Sequence, residues 1–468
     1  DATTDRPTVV FAYTVKGRGL PLAGDPMNHS ALLSESQIDA LRSSMGLTAE
    51  TEWNRFDPGS DAGRICDAVG ASINNEPVPP RPKVPVSAAS GAVQKTVTSS
   101  QEAFGRVLVQ LGKDPELAER MVTVSPDVAV STNLGGWINA QGVFSPTDST
   151  DYYGSERLLK WTPSPQGRHI ELGISEMNLF LLLGQLGLAH EHHGEMLLPI
   201  GTVYDPFVLR GLDALIYSLY NNSRFIIAGT PSGVTLAPEG GAHQSSITPS
   251  VGLELPGIVA AEPAYGEAVD WLLSNALRRL AEPDGSSCYL RLSTRPIDQA
   301  PFAAAKDRIG ADELRDAVLR GGYRLREPRS GEPLIIAASG PVMPEVLRAA
   351  DMLAEEGFGA TVIDVTSQDL LFREWQRSMT DAARTASIPA NTGHLARLIL
   401  PEERSAPILT VHDASPHSMA WFGSVFGQRV LPLGVDRFGE SGTIAELYEA
   451  MGFLPDQLVN AALVAFER

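Results

Sequence analysis

Apolar and polar positions follow one rhythm through two long blocks of this chain, and a different one ahead of them. Short apolar or β-branched runs recur at "MVTVSPDVA" (121–129), "RHIEL" (168–172), "EMLLPIG" (195–201), "RFIIAGT" (224–230), "GIVAAEP" (257–263) and "CYLRLS" (288–293). Helix-period segments starting at Met177, Phe207 and Tyr265 lie between them. Strands covered on both faces read as uninterrupted apolar runs, so this alternation predicts a mostly parallel α/β sheet. An amphipathic helix at "TSSQEAFGRVLVQLG" (98–112), behind Ser/Thr as N-cap, precedes the first strand. The rhythm resumes with "PLIIAAS" (333–339), a helix over 343–356, "GATVIDV" (359–365), "APILTVHDA" (406–414), "QRVLPLGV" (428–435) and a last helix near 455–466. That is a second α/β domain.

The first hundred residues read otherwise. "RPTVVFAYTVKGRG" (6–19) has the composition of a buried strand entering a glycine loop, with its sheet partners still to be found. Residues 36–98 read as a linker: one helix over 35–45, polar turns, then the extended, proline-rich "NNEPVPPRPKVPVSAAS" (74–90). The expected boundaries are therefore 1–35, the linker 36–98, a first α/β domain 99–305, a connector 306–330 and a second domain 331–468.

Composition narrows the function classes. With 43 % hydrophobic and 20 % charged residues among 468, the chain can bury large cores. A net charge of -19, with no long run among 37 basic residues, argues against nucleic acid as a partner. The longest apolar stretch, near 179–188, is interrupted by Gly184, Gln185 and Gly187, which argues against a membrane span. No signal-peptide pattern stands at the N-terminus, and the two distant cysteines, Cys66 and Cys288, read as small core residues of a reducing compartment. The expectation is a cytoplasmic protein.

Four stretches hold candidate chemistry. In "HIELGISEMNLFLLL" a carboxylate, Glu176, opens an apolar helix at the carboxyl end of a strand, where open α/β sheets bind ligands. A first-turn Glu can equally be there for the helix dipole. "LLPIGTVYDPF" ends a strand with Tyr204 and Phe207, which can hold a flat ring or simply join the core, while Asp205 and Pro206 read as an N-cap and first helical residue. The irregular loop "GTPSGVTLAPEGGAHQSS" (229–246) carries Glu239 and His243, either a site or an ordinary hydrogen-bonded pair. "HEHH" (190–193) lacks metal-ligand spacing and reads as a polar loop, and no metal site is expected within this chain. His412, Asp413 and His417 end a strand of the last domain and read as structural.

In this order and spacing, "HIELGISEMNL", "LLPIGTVYDPF" and "LAPEGGAHQS" resemble the thiamin diphosphate enzymes of the transketolase superfamily, specifically the homodimeric decarboxylating component of 2-oxoacid (pyruvate) dehydrogenase complexes. The resemblance spans essentially the whole chain. It implies a thiamin diphosphate-binding fold with a parallel-sheet pyrimidine domain (99–305) and a transketolase C-terminal α/β domain (331–468), residues 1–35 being the end of a diphosphate-binding domain. It also implies roles. Glu176 would bond the ring nitrogen N1′ of the aminopyrimidine and favour its imino tautomer, and Phe207 would stack on that ring. Tyr204 and His243 would face the reacting carbon as donors or proton carriers, Glu239 would tune that site, and His29 would lie on a loop closing over substrate. Asp127 matches an acidic position near the cofactor, although Val128 follows where many relatives have a second acid.

The family holds the diphosphate and Mg²⁺ through a GDG motif, and this sequence contains none. The expectation is half a site, completed by an N-terminal half in the same or a separate polypeptide. The implied activity is oxidative decarboxylation of a short 2-oxoacid, pyruvate or 2-oxobutyrate, with reductive acylation of lipoamide, by a homodimer that passes the acyl group to a lipoyl-bearing acyltransferase. Transketolase-type transfer from a ketose phosphate and a non-catalytic partner subunit remain as alternatives.

Overall fold

The computed structural model describes residues 8–73, 78–147, 150, 159, 161, 163–387 and 393–467. The chain divides into two compact units, residues 1–77 and 78–468.

In the second unit the apolar runs become strands of one eight-stranded sheet. They are β1 (Met121–Ser125), β2 (Val143–Phe144), β3 (Pro163–Ser164), β4 (His169–Glu171), β5 (Leu198–Val203), β6 (Ile226–Gly229), β7 (Ile258–Ala261) and β8 (Ser287–Arg291). Their spatial order is β3-β2-β4-β1-β5-β6-β8-β7, and every pairing is parallel. Each residue of β1, β5, β6 and β8 is buried, as a sheet covered on both faces requires. A five-stranded sheet follows from β9 (Tyr323–Arg326), β10 (Glu332–Ser339), β11 (Phe358–Asp364), β12 (Ile408–His412) and β13 (Val430–Leu433), in the order β9-β11-β10-β12-β13. Only its edge strand β9 runs antiparallel.

Several expectations need correction. Residues 8–15 form no strand, and Val9, Val10, Phe11 and Tyr13 are exposed; no described strand pairs with them, and a lone strand has nothing to satisfy its backbone groups. The stretch read as a linker carries a second helix, Asp61–Ser72, capped by the Ser60 hydroxyl. "HEHH" is helical (Ala189–His193), ended by Gly194 in the left-handed conformation. Cys66 is exposed, whereas Cys288 is buried. Among the described residues no helix is long and apolar enough to cross a membrane, and no three His, Cys, Asp or Glu side chains are grouped to hold a metal ion.

One buried group makes stability depend on pH. Asp364 ends β11 fully buried, accepting a 2.7 Å hydrogen bond from the Tyr323 hydroxyl, and burial pushes its carboxyl up to about 7. Between about pH 4 and that value the folded chain keeps a proton that the unfolded chain has released, so stability falls as pH rises through this window. Across that window the loss amounts to at most about 4 kcal/mol. Asp364→Asn is expected to raise the urea midpoint at pH 8 and to leave it unchanged at pH 4. An unaltered difference between the two pH values would refute the assignment.

Candidate active site

Strands β4, β1, β5 and β6 are consecutive neighbours, so their carboxyl ends form one rim of the sheet. Beyond β4, Gly173 adopts φ +66° and turns the chain into α1 (Glu176–Leu186). Leu179, Phe180 and Leu183 bury one face of α1, which packs against α2 (Leu212–Tyr220). The approach depends on glycine: a Cβ on Gly184 would overlap the Ser218 hydroxyl, and one on Gly211 would overlap the Phe180 ring. This packing fixes Glu176 at the rim.

Beyond β5, Tyr204 and Phe207 stack with ring centroids 6.0 Å apart and planes 10° from parallel. His243, from the loop beyond β6, stands edge-on to both rings at 5.6 and 5.3 Å. Its Nδ1 is buried without a hydrogen-bond partner. The Glu176 side chain is 12 % exposed, and Arg210 Nη1 donates to its Oε1 at 2.8 Å. The same guanidinium lies 3.7 Å over the centre of the Phe207 ring, a cation–π contact. Five side chains from three separate segments thus converge: Glu176, Tyr204, Phe207, Arg210 and His243.

Asp205 departs from its expected role. The short 3-10 helix Asp205–Gly211 has no side-chain cap, and the Asp205 carboxylate turns inward, fully buried. It accepts from the hydroxyls of Ser245, Thr248 (2.7 Å) and Tyr289 and from Arg291 Nε at 3.0 Å. Inward donors outcompete the helix terminus because a buried carboxylate left unpaired is far more costly than a missing cap. Arg291 Nη1 also donates to Glu262 at 2.6 Å, and Glu262 pairs with His412 Nε2 at 2.6 Å. Burial opposes the Glu262 charge, yet Arg291 and His412 beside it hold its carboxyl below the usual range. Burial likewise opposes the charge of Arg291, which Glu262 and Asp205 more than offset.

The other candidates are more scattered. Asp127, at φ +67° beyond β1, is exposed, and its backbone N–H donates to Glu171 Oε1 at 2.6 Å. Glu239 is exposed on the turn four residues before His243, and no described hydrogen bond ties it to the rings. His29 belongs to the first unit, exposed, with Lys16 Nζ 3.1 Å from its Nδ1. Arg210 and Arg291 escaped the sequence reading. Arg210 stands three residues after Phe207, a spacing that brings side chains together in a helical turn, so it had a local signal. Arg291 had none, its carboxylate partners lying 86 and 29 residues away.

Comparisons with known proteins match two segments of this chain to family models. Residues 82–296 match the pyruvate dehydrogenase E1 component middle domain, and residues 321–454 match the transketolase-like TK C-terminal domain. The chain is 25 % identical over 473 residues to the pyruvate dehydrogenase E1 component of Mycolicibacterium smegmatis, covering 94 % of this chain and 49 % of that one. It is also 25 % identical over 482 residues to the chromosomal transketolase of Cupriavidus necator, covering all of this chain and 64 % of the relative. The solved transketolase from Leishmania mexicana superposes with a TM-score of 0.67 at 18 % identity over 97 % of this chain and 61 % of that one, a likeness of fold. The chain spans about half the length of the pyruvate dehydrogenase relatives it matches.

Proposed function

Because this chain belongs to the thiamin diphosphate-dependent transketolase superfamily as an E1-like member, we propose that it forms the pyrimidine-facing part of an enzyme that oxidatively decarboxylates a short 2-oxoacid, pyruvate or 2-oxobutyrate, and transfers the acyl group to lipoamide. One observation carries the reading. The Arg210 guanidinium is a planar, nitrogen-bearing cation that stacks on Phe207 and donates to Glu176. An aminopyrimidine ring offers the same two interactions through its face and its N1′ nitrogen. The orphaned Nδ1 of His243 leaves a buried polar atom beside the rings for a third. The residues therefore fit thiamin diphosphate.

When bound, thiamin diphosphate would supply a carbon nucleophile and an electron sink for the pair left on the substrate carbon as CO₂ departs. Glu176 holds a proton at the ring nitrogen, in a mouth that Leu179 and Phe180 help to keep apolar. Phe207 orients the ring by stacking. Tyr204 and His243 present donors toward the substrate carbonyl, with Glu239 tuning them and Asp127 near the cofactor. The resemblance further assigns His29 a part in loop closure and in transfer to lipoamide. Diphosphate and Mg²⁺ are held by polypeptide other than the residues of this chain, in the same or a separate chain. The partners are a second copy, as homodimer, and a lipoyl-bearing acyltransferase, and the compartment is cytoplasmic.

Transketolase-type two-carbon transfer is the second reading, favoured by the Cupriavidus relative. A ferricyanide-coupled assay of the complete enzyme, with Mg²⁺ and thiamin diphosphate, separates the two. Turnover of pyruvate or 2-oxobutyrate, and none of a ketose phosphate, is expected. The reverse pattern would overturn the dehydrogenase reading, and no turnover of either would return the chain to a non-catalytic role.

A further inference from the structure

The loop that carries His243 is held from the C-terminal domain, and one carboxylate accepts three of the hydrogen bonds that hold it. Asp413 directly follows β12 and is fully buried. Its side chain accepts from the backbone N–H of Val234 at 2.8 Å and of Thr235 at 3.0 Å, and from the Thr235 hydroxyl. Gly233, at φ +68°, lets the loop approach this closely, since a Cβ there would overlap the carboxylate. The Thr235 hydroxyl lies 2.6 Å from that of Tyr448, another residue of the C-terminal domain. Beyond His243 the same domain grips again: the Gln244 amide donates to the Glu440 carbonyl at 3.0 Å, and the Ser415 N–H donates to the Ser246 carbonyl at 2.8 Å. Arg291 closes the arrangement, with Nη2 donating to the carbonyls of Asp413 at 2.9 Å and Ser245 at 3.3 Å. His243 thus sits on a span fixed at both ends by one domain, although the loop is irregular and its tip, at Pro238 and Glu239, is exposed.

We propose that Asp413 is a positioning residue for the active site: by clamping the amides of Val234 and Thr235 it sets the place of His243 against Tyr204 and Phe207, which makes the C-terminal domain a structural part of the catalytic centre. The catalytic half of this inference rests on the site reading above. The mechanical half rests only on the contacts of the loop.

The test is Asp413→Asn in the full chain, read first by amide hydrogen exchange. Asn keeps the volume but turns an NH₂ group toward donors that need an acceptor. Exchange over 233–246 is expected to accelerate by about tenfold or more, with β10 and the body of β12 unchanged. In the complete enzyme kcat is expected to fall by about tenfold while KM for the 2-oxoacid stays within about twofold, because a displaced His243 affects the transition state more than substrate binding. Gly233→Ala pushes the loop from its other side with the C-terminal domain intact, should carry the same loop-confined signature, and decides the matter if Asp413→Asn fails to fold. Unchanged loop exchange in the variant that folds would overturn the proposal. So would acceleration spread equally through β10 and β12, which marks a general loss of stability. If the unmodified enzyme turns over no 2-oxoacid, the reading of the reaction fails, while the exchange result still decides the clamp.

Discussion

Glu176→Ala in the complete enzyme is expected to lower turnover by roughly 10²–10⁴-fold, the range over which a positioned proton-holding group acts, and to leave the fold almost untouched. The two halves of that expectation come from different parts of the structure. Activity is expected to depend on the carboxylate because, in the proposed reading, the rim would offer Glu176 to a ring stacked on Phe207, and the Arg210 guanidinium already makes both contacts at once. Stability hardly depends on it because its ion-pair partner Arg210 is 55 % exposed, and such a pair contributes at most about 1 kcal/mol. The hydrophobic face of α1, not its first residue, holds the helix in place. Glu176→Gln should be as inactive as the alanine variant, since an amide keeps the shape without the proton-sharing carboxylate. Turnover near that of the unmodified enzyme in either variant would remove Glu176 from its role.

Arg291→Leu is expected to act first on stability. The side chain is 3 % exposed and bonds Asp205 and Glu262 together with the carbonyls of Ser245 and Asp413. Taking away the cation leaves two carboxylates buried and partly unpaired, a change that typically destabilises by about 3–5 kcal/mol. The urea midpoint should fall accordingly, with the slope of the transition unchanged if the unfolded state is unaffected. Arg291→Lys should recover part of the loss, because it restores the charge without the fork that reaches several acceptors. Adding Glu262→Gln to the leucine variant should recover another part by neutralising one stranded carboxylate. A midpoint indifferent to Arg291→Leu would show that the network contributes little.

The contrast between these residues tells what could be read in advance. Repeated apolar runs separated by helix-period segments required two α/β layers, because only a sheet covered on both faces accommodates such strands, and both sheets are present. Glu176, Tyr204 and Phe207 were legible as candidates because each stands just beyond a strand, where a parallel sheet presents side chains to a ligand, and His243 because it lies in an irregular loop of the kind that carries binding residues. Their convergence was not legible, since the strand order β4-β1-β5-β6 differs from the chain order.

The errors have the same physical source. Asp205 has every local mark of an N-cap, yet its carboxylate faces Arg291 and three hydroxyls from distant segments, and buried partners prevail over a helix end that solvent can satisfy. The apolar run at 8–15 has strand propensity, but propensity without a neighbouring strand leaves its backbone unpaired. His412 and Asp413 read as structural, which is no error, but only their neighbours show that they join Glu262 and the His243 loop. By itself the sequence determined the class of fold and the residue types at the sheet rim, because both follow from local periodicity and the position of strand ends. Only the tertiary structure decided which carboxylate meets which cation, where the Arg210 guanidinium lies and what steadies His243, because buried charges choose partners by proximity in space.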